Sequence, residues 1–407
     1  MNKNMNSIES TKLYNFILKR LEKENIDFIG FIVSPFHALG IDAYLYGLSK
    51  KNKNLKGLIF INPHSKSGFI VNKKDLRCSE FADVEIIYIE KDNHLRNKNN
   101  LKKISDGVNM YLGLLNIMLR KKYSKRELFI LTIMNINIFI LSIFSNKKIL
   151  RDYYPRFVLI DEGIGTYMSK QVWKLEGMYI NSSLDDKSIF SRLKRLFAIF
   201  LLKMGSKYKN IEKRFIFYSR KDNIYVNEHV IASYRKIIEI NKNHIKNNDI
   251  INLAKYINGE KFVILATQPF VEYNQIKLFD YMDILDNLLK ILNKKNLKIV
   301  LKPHPREDEK KYEIILKNYK DIYICTKTFL LEEILYLNPI KIVGFTTTSL
   351  ITSKLFYGIE SISLANIIIK NTNDSLINTR GSEFKSKFKK YVHFVNDFKE
   401  IEDLIKV

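Results

Sequence analysis

Lys302, His304 and Arg306 alternate with Pro303 and Pro305 at the end of the apolar run Lys298-Ile299-Val300-Leu301. A histidine set between cations can hold a phosphate oxygen or hand a proton to a leaving group near neutral pH. A second group, Asp161-Glu162-Gly163-Ile164-Gly165-Thr166-Tyr167, places adjacent carboxylates beside glycine space. Carboxylates sharing a partly desolvated site hold protons more tightly and can serve as a general base. Acids before a glycine turn are also ordinary helix starts. A third group, Gly344-Phe345-Thr346-Thr347-Thr348-Ser349, ends an apolar run in glycine and opens a helix with hydroxyls. Hydroxyls and free amide N–H groups at a helix start make an anion site, although the same side chains could be plain caps. Ser34-Pro35-Phe36-His37 and Ala266-Thr267-Gln268-Pro269 are weaker candidates of the same kind.

Each group follows a short apolar run rich in Val and Ile, the composition of a buried strand. Prolines stop the run before His304, because proline lacks the N–H that a sheet ladder needs and restricts the residue before it. Strands are expected at Asp27–Val33, Leu58–Ile61, Val84–Ile89, Phe157–Ile160, Phe215–Tyr218, Phe262–Leu265, Lys298–Leu301, Ile322–Cys325 and Lys341–Val343. Helices are expected around Lys12–Lys23, after Ser34, and at Leu101–Leu119, Ile276–Leu292, Glu309–Asn318, Leu330–Leu337 and Ser349–Tyr357. Residues Ile237–Asn258, rich in Asn and Lys, read as a connector plus a helix. This alternation predicts an α/β fold with parallel sheets covered on both faces. Two Rossmann-like domains are expected, 1–235 and 236–407, with a cleft between them. In open α/β sheets the carboxyl ends of the strands are where ligands bind, and all the candidate groups lie there.

The 407 residues carry 68 Lys and Arg against 43 Asp and Glu, a net charge of +25. Such an excess favours an anionic partner: a nucleotide, an acidic glycan or a membrane surface. The aromatic residues fall mainly in apolar runs rather than in basic stripes, which argues against nucleic acid. Cys78 and Cys325 stand far apart and form neither a disulfide framework nor a zinc spacing, as in a reducing cytoplasm. Residues 1–10 lack the apolar core of a signal peptide. The uncharged span Leu128–Ser145 is near the lower length for a membrane helix, yet a strand at Leu128–Ile133 followed by a helix at Ile136–Phe144 fits it equally. Ile189–Lys209 reads as a basic amphipathic helix, suited either to an anionic membrane surface or to ordinary packing. No pair of aspartates stands two positions apart, no Walker lysine loop occurs, and no histidine–carboxylate metal spacing is present.

Taken together, the acidic pair before Gly163, the His304-Pro305 motif and the Thr348-Ser349 pair, in that order, resemble the bacterial GT-B sialyltransferases. Leu159–Tyr167, Lys302–Glu307 and Phe329–Ile334 are most similar to the capsular polysialyltransferases, whereas Val33–Leu39 is more similar to the lipooligosaccharide sialyltransferases. The resemblance runs from about Val158 to Ile367, and Thr348 stands where some relatives have serine. It implies a GT-B fold, CMP-sialic acid as donor, and inverting transfer with no metal or other cofactor. Asp161 or Glu162 would then deprotonate an acceptor hydroxyl from the N-terminal domain. His304 would engage the donor phosphate from the C-terminal domain, with Lys302, Pro305, Gly344, Thr347, Thr348 and Ser349 around it. The acceptor would be a sialylated or galactose-terminated cell-surface glycan, of capsule or lipooligosaccharide. A place in the cytoplasm, peripheral on the inner membrane face, is expected. Two other readings stay open: a GT-B transferase of capsule or teichoic acid synthesis with another nucleotide donor, and a non-catalytic basic anion-binding protein.

Overall fold

A computed structural model describes residues 7–9, 12–32, 34–52, 54–61, 71–90, 126–132, 143, 146–161, 163, 167–169, 171–172, 213–215, 227–243, 248–319, 321–326 and 329–405. The apolar runs form two sheets. The first contains β1 (Ser7–Glu9), β2 (Phe28–Ile32), β3 (Lys56–Ile61), β4 (Asp83–Glu90), β5 (Arg126–Thr132), β6 (Tyr153–Ile160) and β7 (Lys213–Phe215), in the order β1-β4-β3-β2-β5-β6-β7. The second contains β8 (Phe262–Ala266), β9 (Lys298–Lys302), β10 (Ile322–Ile324), β11 (Lys341–Gly344), β12 (Ser361–Ser363) and β13 (His393–Phe394), in the order β10-β9-β8-β11-β12-β13. Every pairing is parallel. β2 and β8 are buried along their whole length, as strands covered by helices on both faces must be.

From a central strand, β2 in the first sheet and β8 in the second, each sheet grows first to one side and then to the other, with β1 placed beyond β4. In the second sheet β8, β9 and β10 step one way, and β11 returns to the other side of β8. A crevice opens at such a switch point, outside the carboxyl ends of the two strands. The register lays Gly344, Ala266 and Lys302 abreast along that edge. Glycine is required at 344, because a Cβ there would lie 2.9 Å from the carbonyl oxygen of Ala266.

The Glu228–Asn243 helix joins the halves. Its Tyr234 is fully buried and stacked between Phe36 and Phe356, at 5.9 and 5.7 Å. Arg235 donates to the carbonyl of Leu355. The expected boundary at 235/236 therefore falls inside one continuous helix whose buried side chains touch both halves. The connector expected at Ile237–Asn258 is occupied by the end of this helix and by a second one at Asn248–Ile257. Leu128 to Thr132 belongs to β5, a central strand, so the membrane-helix reading of that span is set aside for these residues. Among the described residues no helix is long and apolar enough to cross a membrane. The expected helices Leu101–Leu119 and Ile189–Lys209 lie outside the described residues, as does the Ile216–Tyr218 part of the strand expected at Phe215–Tyr218. The Glu309–Asn318 helix is shorter than expected, a turn of 3-10 helix at Glu309–Tyr312 running into Glu313–Leu316. Leu331–Leu337 is likewise a 3-10 helix.

Candidate active site

His304 follows β9 directly, in the turn that the two prolines impose. One carboxylate holds this turn. Glu307, 2% exposed, accepts from the His304 amide at 2.5 Å, the Thr267 hydroxyl at 2.7 Å, the Lys311 ammonium at 2.7 Å and the Tyr312 hydroxyl at 2.7 Å. A buried carboxylate needs such partners, and here they tie the ends of β8 and β9 to the Glu309–Tyr312 turn. The His304 Nδ1 accepts the Arg306 amide at 3.2 Å, which leaves Nε2 as the protonated nitrogen of the neutral ring. Burial pushes the His304 imidazole down to about 3, with the charges of Arg306, Arg380, Lys302 and Lys311 acting the same way. Burial alone disfavours any charge here, but the four cations that add to the shift set up a positive potential that an anion bound beside His304 would share.

The cations are held differently. Arg306 donates to the Tyr273 hydroxyl at 2.6 Å. Lys302 is 6% exposed, donates to the Thr326 carbonyl at 2.9 Å and lies over the Phe329 ring, so its charge reaches His304 through space while its ammonium points to β10. Pro305 shapes the turn. Across the crevice, Gln268 accepts from the Thr346 amide and hydroxyl, both at 3.0 Å, and donates back to the Thr346 carbonyl at 3.3 Å. This pins the end of β11 to the end of β8, just before Thr347. The Ser349–Tyr357 helix then begins at Thr348, whose side chain makes no cap hydrogen bond among the described residues. The capping alternative thus does not describe Thr348. Ser349 is turned inward: its hydroxyl donates to Glu332 at 3.1 Å, beside that of Thr352 at 2.7 Å. Burial raises the Glu332 carboxyl above its usual range.

On the other side, Asp161 directly follows β6 and is fully buried. Its Oδ1 accepts the Gly163 amide at 2.7 Å, and its Oδ2 accepts the Tyr167 hydroxyl. Glu162 lies outside the described residues. Gly163 adopts φ +102°, a conformation open to glycine, and a Cβ there would strike the Thr348 side chain. The acidic loop of the first half and the hydroxyl turn of the second are therefore in contact. The weaker candidate at Ser34 proves to be a helix cap, with the His37 amide donating to its hydroxyl at 3.2 Å. His37 itself is fully buried, and among the described residues neither ring nitrogen has a partner. Burial pushes it down to about 3.

Sequence reasoning offers Gln268 only as a weak ligand contact, where the structure has it pinning Thr346, and assigns no role to Glu307, Tyr167 or Arg380. The first three stand inside or beside quoted motifs, but only the contacts reveal what each holds. Arg380, with Thr346, Gln275 and Phe270, lines a pocket beside this site, and no sequence pattern marks it.

Several solved structures share the general layout. One is UDP-GlcNAc 2-epimerase from Methanocaldococcus jannaschii, at 10% identity, with 94% of this chain and 92% of that chain covered and a TM-score of 0.49. Another is the GT-B domain of a sialyltransferase from Photobacterium damselae, at 10% identity, covering 91% of this chain and 100% of that one with a TM-score of 0.42. Likenesses of this depth say nothing of the substrate here. Among curated proteins no sequence matches. The family model described as Alpha-2,8-polysialyltransferase (POLYST) matches residues 28–366, a stretch that holds the acidic loop, the His304 turn and the Thr347–Ser349 turn. With two parallel α/β units in the GT-B manner and a match over most of its length, the chain belongs to the alpha-2,8-polysialyltransferase family, whose members are glycosyltransferases.

Proposed function

We propose that this protein transfers sialic acid from CMP-sialic acid to a glycan acceptor, by single displacement and without a divalent cation. The acceptor hydroxyl oxygen attacks the anomeric carbon as the bond from that carbon to the CMP phosphate breaks. CMP leaves with the bonding electrons, and the hydroxyl proton passes to a carboxylate of the Asp161–Glu162 pair. The observation that carries this reading is the contact of Gly163 with Thr348, which sets the acidic loop against the anion-favouring edge of the second sheet. Negative charge develops on the phosphate oxygens as CMP departs. The Nε2–H of His304, the hydroxyls of Thr347 and Thr348 and the amides opening the Ser349–Tyr357 helix are suited to receive it. Ser349 contributes its amide, since its hydroxyl is given to Glu332. Asp161 has both oxygens occupied by the loop, which suits it to fixing the loop, and the neighbouring Glu162 is then the proton acceptor.

The test is CMP release from CMP-sialic acid with EDTA present, with oligosialic acid and a lactose-terminated acceptor offered in parallel. A ladder of products on oligosialic acid supports polymerisation, and a single addition to lactose supports capping. If neither acceptor draws turnover and CMP does not bind, the donor assignment fails.

A further inference from the structure

The Ser375–Phe388 helix belongs to the second half but grips the acidic loop of the first. Glu383 accepts the Ser169 amide at 2.9 Å and also the Ser169 hydroxyl. Lys387 donates to the carbonyl of Tyr167 and lies 3.5 Å from Glu383. Phe388 meets the Tyr167 ring edge-on at 6.0 Å. Tyr167 in turn donates its hydroxyl to Asp161. The Ser169 oxygen also receives the amides of Gln171 and Val172, at 3.2 and 3.4 Å, so the whole turn is organised on one serine. One turn earlier, Arg380 and Gly381 of the same helix line the pocket with Thr346, and the Arg380 charge acts on His304. Residues 380, 383 and 387 recur at helical spacing and share a face. A single rigid element thus touches the anion-favouring edge and the acidic loop together.

We propose that Glu383 and Lys387 are positioning residues for the transfer: they hold Ser169 and Tyr167 so that Tyr167 fixes Asp161, and with it the acidic loop, against the edge that carries His304. The inference rests on the sialyl-transfer reading for its chemistry, but the clasp itself does not. Glu383 and Lys387 touch the loop and not the reacting atoms. Their removal is expected to act on kcat, because misplacing a base by a fraction of an ångström costs rate without costing donor affinity.

The experiment compares the full chain with Glu383→Ala, Glu383→Gln, Ser169→Ala and the Ser169→Ala/Glu383→Ala double variant. CMP affinity is read by calorimetry, kcat by CMP release, and protection of the 167–172 amides by hydrogen exchange. Glu383→Ala is expected to lower kcat by roughly ten- to hundredfold, with CMP affinity unchanged and the loop amides exchanging faster. Glu383→Gln, which can still accept from the serine amide, restores most of the rate, and the double variant loses less than the product of the two single losses. An unchanged kcat overturns the proposal, as do losses that multiply in the double variant or a CMP affinity that falls in step with kcat. If the unaltered protein releases no CMP, the donor reading fails on its own. Unchanged exchange at 167–172 in Glu383→Ala then refutes the clasp, and faster exchange upholds it.

Discussion

Two side chains in the His304 turn have separable tasks. His304 meets the donor in the proposed mechanism, and Glu307 holds the turn in which His304 sits. Replacing His304 with Ala removes the Nε2–H but leaves the Glu307 contacts, because Glu307 takes the backbone amide at 304. Transfer should fall by about 10²–10⁴-fold with the far-ultraviolet circular dichroism unchanged. Full activity in His304→Ala would remove the histidine from the mechanism. Glu307→Ala should behave otherwise. The Lys311 side chain is 5% exposed and would lose one of its carboxylate partners, while the hydroxyls of Thr267 and Tyr312 would lose an acceptor. Breaking a buried pair from one side costs about 3–5 kcal/mol, tempered here because Glu272 also pairs with Lys311. The urea midpoint should drop together with activity. A Glu307→Ala protein as stable as the parent would contradict this account. For the acidic pair, Asp161→Asn should disorder the loop as well as slow transfer, whereas Glu162→Gln should slow transfer with stability intact.

At the scale of elements, the Leu331–Leu337 turn makes a pH prediction. Glu333 accepts the Leu330 amide at 2.8 Å, and its carboxyl is pushed up to about 7, first by burial and then by the charges of Asp75 and Glu332. The folded chain therefore holds this proton more tightly than the unfolded chain, whose ordinary value is 4.5. Stability from this group is full below pH 4.5 and is lost as pH rises to about 7, since the native state must then ionise a buried carboxyl. Glu333→Gln keeps an acceptor for Leu330 and cannot ionise, so its melting temperature relative to the parent should rise across that window. A constant difference would refute the assignment. Legibility also divides at this scale. β2, β6, β8, β9 and β11 are read easily because their apolar runs are continuous, and those of β6, β9 and β11 stop at acid, proline and glycine. β5 stays open between strand and membrane helix in the sequence, because its run continues uncharged to Ser145. The Ser349–Tyr357 helix emerged with the bounds expected of it. By contrast β12 and β13 have three and two residues, too few for any periodicity. The 3-10 geometry at Leu331–Leu337 keeps the apolar spacing of an α-helix, so sequence could not tell them apart. Glu383 and Ser169 are 214 positions apart, and nothing local to either residue announces the pair.

Across the whole molecule the charge is the feature that most constrains how an acceptor arrives. The chain carries a net +25, the charges of Arg306 and Arg380 act on His304, and the exposed Lys385, Lys389 and Lys390 continue along and beyond the helix that holds the acidic loop. A polyanionic acceptor would feel this field before contact, and a neutral one would not. Salt separates the two cases, because the screening length falls from about 30 Å at 0.01 M to about 8 Å at 0.15 M. The measurement is kcat/KM for oligosialic acid and for a lactose-terminated acceptor over that range, with the donor saturating. Since both reactions use the same donor and the same His304 edge, any salt effect on donor binding cancels in the ratio. The expected result is a steep fall with salt for oligosialic acid, carried by KM, and a nearly flat line for the lactose acceptor. Exchanging Lys389 and Lys390 for Ala should flatten the first line without touching the second. Equal slopes for the two acceptors would mean that the excess charge serves something other than acceptor capture, an anionic membrane surface above all. Vesicles with and without phosphatidylserine, sedimented with the protein at the same salts, would then carry the salt dependence that the acceptor did not.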